Sequence, residues 1–246
     1  MAFTLAPQHV HAWYVFTDQW RDPGRMEWCR TVLTPEEVDR CMKYAREKDR
    51  ELYVIAHGLL RRFLSQYASP APADWVFQKN RYGRPSIANP GFESIRFNLS
   101  HTAGMVAWIF GRGREVGIDV EDTGRQSGGV DLAERYFSPS EVADLMQVEE
   151  TGRRRVFFDY WTLKESYIKA RGMGLAIPLE KFSFKLAPPA NPTISFAPDL
   201  EDDPVRWEFS THSLGARHAL ALAASKEDRE SLQIELREVN AGLIGY

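Results

Sequence analysis

Cysteine is scarce: Cys29 and Cys41 are the only two in 246 residues. They form no CxxC pair and no histidine stands at ligand spacing from them. Neither a disulfide scaffold nor a zinc site is expected, and reduced thiols in the cytoplasm are the plain reading. Long apolar runs are missing too. No segment approaches the ~20 apolar residues of a membrane span, and the start, MAFTLAPQHVHAWYVF, has no basic flank. A positive charge excess is also absent. With 31 Lys and Arg against 34 Asp and Glu the net charge is −3, which argues against a general nucleic-acid or membrane-surface binder. What is present, 43% hydrophobic and 12% aromatic content, suits a soluble globular chain. A chain this long buries roughly 70–75% of its unfolded surface and needs no staple to form a core.

An internal repeat organises the sequence. Thr34-Pro35-Glu36-Glu37-Val38 and Ser138-Pro139-Ser140-Glu141-Val142 share the pattern [ST]-P-x-E-V at an offset of 104 residues. Each supplies a capping hydroxyl, proline at the first helical position and acids in the first turn, so each predicts a helix start. The same offset sets the strand-like Ala12–Phe16 on Val116–Val120, and the helical Tyr53–Arg61 on Phe157–Glu165. Each half then closes on a predicted strand pair, Arg96–His101 with Met105–Phe110 and Val205–Ser210 with Ala219–Ala224. The expected architecture is α+β: two similar α/β subdomains, residues 1–111 and 112–246, related by a pseudo-twofold axis. The expected active site is the crevice between them, and the charged tail from about Lys226 is expected to be a surface appendage.

Chemistry is sought where the repeat is broken. Asp119 stands against Val15 and Glu165 against Arg61, and Glu121 follows Asp119 by two residues on one strand face. Three carboxylates thus enter the second half, and an all-oxygen donor set suits Mg²⁺. Lys169 lies one helical turn beyond Glu165, placed to hold a phosphate. Gly172 predicts a sharp helix stop. Polar groups crowd Asn98, Ser100, His101 and Thr102 at a strand end. The bases Lys48, Lys79, Arg81 and Arg84, gathered at one crevice, would suit a multiply phosphorylated ligand.

The stretches Asn98-Leu99-Ser100-His101, Gly117-Ile118-Asp119-Val120-Glu121 and Trp161-Thr162-Leu163-Lys164-Glu165-Ser166-Tyr167-Ile168-Lys169 occur in the order and spacing of the 4′-phosphopantetheinyl transferases. In length and two-half organisation the chain resembles the monomeric, surfactin-synthetase-type branch, and the resemblance runs from about residue 10 to 225. Gly83-Arg84-Pro85 resembles the family's G-K-P turn, with arginine for lysine. The resemblance implies that Asp119, Glu121 and Glu165 hold Mg²⁺ or Mn²⁺. It implies that Lys169 and Lys164 hold coenzyme A phosphates or the reacting centre. Ser100 and His101 would contact the 3′-phosphate end, with Arg84, Lys48 and Lys79 around the nucleotide.

The implied reaction moves phosphopantetheine from coenzyme A to a serine of an acyl or peptidyl carrier protein and releases 3′,5′-ADP. Glu165 is the implied proton acceptor, with Lys169 and Asp119 the other catalytic groups, in a cytoplasmic monomer with no nucleic-acid or membrane partner. The loop Asp122–Val130 borders Glu121, and its Arg125, with Arg135, is expected to face an acidic carrier. Two competing readings are a non-catalytic coenzyme A or carrier-protein binder and a metal-dependent nuclease.

Overall fold

The computed structural model describes residues 3–187, 189–226, 232–239 and 241–244. The first half begins with β1 (His9–Phe16) and α1 (Pro23–Arg30), then α2 (Pro35–Met42) and α3 (Glu47–Tyr67). A short hairpin, β2 (Phe77–Lys79) and β3 (Pro85–Ile87), precedes the long hairpin of β4 (Ile95–Thr102) and β5 (Met105–Arg112). The second half repeats this order. It runs β6 (Val116–Asp122), α4 (Val130–Tyr136), α5 (Pro139–Gln147), α6 (Glu150–Arg171), the hairpin β7 (Phe182–Ala187) and β8 (Ala190–Phe196), and the hairpin β9 (Trp207–Leu214) and β10 (His218–Ser225). A further strand, β11 (Gln233–Glu238), follows.

Both repeated helix starts carry full capping boxes. Thr34 and Glu37 satisfy each other's backbone amides at the head of α2, as Ser138 and Glu141 do at α5. The sheets repeat as well: β1-β5-β4 in the first half and β6-β10-β9 in the second, all antiparallel. The duplicated architecture expected from the sequence is therefore present. Val205 and Arg206, expected in a strand, instead form a 3₁₀ turn that Asp203 caps by accepting from the Val205 amide.

Burial follows the same plan in three cores. One lies between α3 and the first sheet, around Phe63, Trp108 and Phe110, and a second lies between α6 and the second sheet, around Tyr167, Phe182 and Phe209. The third, built from Val10, Ile109, Ile118, Leu220 and Leu222, joins the two halves. At roughly 25 cal/mol per Å² of apolar surface, this third core is what makes the halves one body.

The tail reads differently from the expectation. Residues 227–231 lie outside the described residues, but β11 is no appendage. It pairs in parallel with β1 of the first half, and Val239 and Ile244 enter the first core. Alternation of Ile234 and Leu236 with charged neighbours suits this half-buried edge position. Among the described residues no helix is long and apolar enough to cross a membrane.

Candidate active site

The halves meet at the free edges of β4 and β6, and side chains bridge them. Asn98, Ser100 and Thr102 alternate along β4 and so project to one side. Asn98 Oδ1 accepts the Ile118 amide at 3.0 Å and Thr102 Oγ1 accepts the Asp122 amide at 3.2 Å. Between them Ser100 Oγ donates to Asp119 Oδ1 at 2.9 Å. From α6, Lys169 Nζ reaches the same oxygen at 2.6 Å and Ser100 Oγ at 3.0 Å. This convergence needs α6 to lie tightly on β6. Gly117 permits it, since a Cβ there would lie 2.6 Å from the Ala170 nitrogen and closer still to the Ser166 carbonyl.

The electrostatics single out this seam. Asp119 is 4% exposed, and its Oδ2 is buried without a hydrogen-bond partner. Burial, then the Asp119 charge, push the Glu121 carboxyl up to about 7. The same two causes raise Glu165, with Lys169 and Arg125 opposing them. Glu121 and Glu165 thus both feel the Asp119 charge, as expected of a shared site. Among the described residues no three acidic, imidazole or thiol groups already converge on one ion position. The fit to a hard cation rests instead on the unsatisfied Asp119 oxygen and on carboxylates destabilised by mutual charge.

Two cavities continue the crevice along α3 and β4. The smaller, about 370 Å³, is lined by Lys48, Tyr44, Tyr53, His101 and Thr102, so Lys48 and His101 do share a wall. The larger, about 870 Å³, is lined by Lys79, Arg40, Arg61, His57, Phe77 and Leu99, with Tyr44 and Tyr53 common to both. Alternation along β4 explains the division: Ser100 turns to Asp119, whereas His101 faces the cavity. Ser100, expected beside His101 at a phosphate, is engaged with the acids instead.

His57 escaped the sequence reading. It stacks on Tyr53 with ring centroids 4.0 Å apart, and burial together with the nearby His101 pushes its imidazole down to about 3. The Tyr53–His57 spacing of one helical turn was the available signal. Burial and Lys169 likewise lower His101, which keeps it neutral near pH 7.

Three expected site residues have other work. Lys164 is wholly buried: it pairs with Glu141 at 2.7 Å and donates to the Leu179 and Phe182 carbonyls, both at 2.7 Å. It faces the second core, because adjacent helical residues point about 100° apart and Glu165 takes the seam. Arg84 clasps the halves, donating to the Val116 carbonyl at 3.0 Å and to that of Ala170. Its Cδ would lie 2.6 Å from a Cβ on Gly172, whose φ of +66° stops α6. Arg125, expected to face outward, turns inward and pairs with Glu121. Arg135 remains exposed.

Two outcomes follow from these placements. Lys164→Met strands the Glu141 charge and should lower the unfolding free energy in urea by about 3–5 kcal/mol, leaving ligand affinity of the folded fraction unchanged. A carboxyl at about 7 in the folded chain and 4.5 in the unfolded one holds its proton longer when folded. The native state then binds more protons between those values, so stability falls as pH rises through them. Urea titrations in chelator at pH 5 and pH 7.5 should show that fall, and Glu121→Gln should reduce it.

A sequence profile described as the 4′-phosphopantetheinyl transferase superfamily matches residues 115–223, and one for the N-terminal part of such transferases matches residues 18–110. The 4′-phosphopantetheinyl transferase HetI of Nostoc sp. is 30% identical over 196 residues, 79% of this chain and 81% of that protein. The 4′-phosphopantetheinyl transferase Sfp of Bacillus subtilis is 28% identical over 198 residues, 80% of this chain and 84% of its own. The crystal structure of Thermotoga maritima holo-[acyl-carrier-protein] synthase superposes with a TM-score of 0.38 at 25% identity, covering 46% of this chain and 64% of that one. With both halves matched separately and a 30% identical relative covering four-fifths of each sequence, this chain belongs to the 4′-phosphopantetheinyl transferase superfamily of enzymes.

Proposed function

We propose that the chain transfers the 4′-phosphopantetheine group of coenzyme A to a serine hydroxyl of an acyl or peptidyl carrier protein. The serine oxygen forms a bond to the phosphorus that carries pantetheine, the pyrophosphate P–O bond breaks, and 3′,5′-ADP leaves. The observation that carries this reading is the seam where Lys169, Ser100 and Asp119 interlock beside Glu121 and Glu165.

Asp119, Glu121 and Glu165 are the residues that would hold Mg²⁺ or Mn²⁺. Such an ion, when bound, supplies charge neutralisation at the pyrophosphate. Lys169, released from Asp119, supports the charge growing on the leaving phosphate. Glu165 accepts the serine proton, directly or through water. The cavity lined by His101 and Lys48 takes the nucleotide's phosphorylated end, and Lys79 lines the adjoining one. Holding both partners in line removes the entropy of their encounter, and no covalent enzyme intermediate is required.

The test is mass spectrometry of an apo carrier protein incubated with the chain, Mg²⁺ and coenzyme A. One phosphopantetheine addition per carrier is expected, lost with Asp119→Ala or Glu165→Ala; an unmodified carrier leaves only a binding role. His101→Ala should weaken coenzyme A by about 1.5–3 kcal/mol and 3′-dephospho-coenzyme A much less. Equal weakening would remove His101 from the 3′-phosphate.

A further inference from the structure

Arg125 has no task in the transfer reading, yet it is built into the site. It lies in the turn leaving β6, with Nη1 3.0 Å from Glu121 Oε1. Its guanidinium sits over the Phe158 ring at 5.3 Å and the Trp161 ring at 6.0 Å from their centroids. The turn itself is fixed by another residue. Arg154 donates to the Thr123 carbonyl at 2.6 Å, to that of Gly128 at 3.3 Å, and to that of Arg125. The backbone position of Arg125 is thus held independently of its own side chain. That side chain is under-bonded, for its Nε is buried without a hydrogen-bond partner. Glu121 and two ring faces are what keep it in place.

An independent observation lies on the other side of the cluster. Asp119 Oδ2 is buried and unpartnered while Oδ1 is taken by Lys169 and Ser100. The Asp119 carboxylate therefore keeps one oxygen ready for a further positive ligand, whereas the Glu121 carboxylate already has Arg125. A divalent cation drawing on both acids must displace the guanidinium or share Glu121 with it at a repulsive distance.

We propose that Arg125 is a positioning residue that holds Glu121 until a divalent cation takes it, an internal competitor for the ion. The proposal rests on reading Asp119, Glu121 and Glu165 as the cation site. The Arg125 side chain is still 31% exposed, which screens the pair in part, so the competition should amount to a small factor in affinity rather than a block. Arg125 thereby keeps Glu121 in place while the site waits, and leaves Asp119 as the point of first capture.

The test is Mn²⁺ binding to the full chain, without coenzyme A, followed by the electron paramagnetic resonance of the free ion. Arg125→Gln should bind Mn²⁺ about two- to fivefold more tightly than wild type. Loss of a merely structural contact would loosen the site instead, so an unchanged or weaker affinity overturns the proposal. Asp119→Asn separates this from the underlying reading. If Asp119→Asn binds weakly while Arg125→Gln matches wild type, Arg125 alone is misassigned; if Asp119→Asn binds like wild type, the cation site itself is wrong.

Discussion

Two strand edges that never form a backbone ladder hold this molecule's chemistry together. Had β4 and β6 paired directly, their amides and carbonyls would have satisfied one another and left no room for side chains between them. Instead the Ile118 and Asp122 amides are met by Asn98 and Thr102, and the intervening position on β4 is free to face Asp119. Satisfying the edge with side chains widens the seam. Lys169 enters that space from α6. A break in the sheet thus becomes a polar slot with a defined register, and the three-residue alternation on β4 sets what stands opposite each position of β6.

The duplicated halves share a second device, which the seam exploits. In each, the capping-box glutamate also binds a base from the long helix. Glu37 takes Arg61 at 2.8 Å and Glu141 takes Lys164 at 2.7 Å. Each base then reaches carbonyls of the segment leading to the next hairpin: Pro72 and Trp75 for Arg61, Leu179 and Phe182 for Lys164. Breaking such a buried knot would leave uncompensated charge, so both halves retain it. Matching these roles pairs Arg61 with Lys164, one position away from the ungapped register that set Arg61 against Glu165. Glu165 is therefore the residue beside the knot, turned to the seam by one helical step.

Much of this was legible in the chain. Two [ST]-P-x-E starts and a common offset gave the repeat, because capping and proline geometry act locally and leave a local signature. Asp119, Glu121, Glu165 and Lys169 were legible as a group because strand and helix periods place them on shared faces. The partners of Lys164 and Arg84 were not legible, for one reason. A sequence shows that a base is present but not whether its charge is spent on buried carbonyls, and only packing decides that. The place of β11 beside β1 was hidden because parallel edge pairing between distant segments has no local signal.

On the proposed reading, the charge arrangement would set the order of events at the seam. Glu121 and Glu165, gathered beside Asp119, are raised by its charge, and burial strengthens that repulsion by lowering the effective dielectric. Lys169 on Asp119 and Arg125 on Glu121 offset part of it. A substrate pyrophosphate brings more negative charge and by itself would be pushed away from these acids, while offering Lys169 a stronger partner than Asp119. Transfer of Lys169 to the phosphate would then leave Asp119 bare and less stable than before. The exchange is favourable only if positive charge reaches the acids as the phosphate reaches the lysine. On the proposed reading, anion and cation occupancy would therefore be coupled through the Lys169–Asp119 contact, each making room for the other.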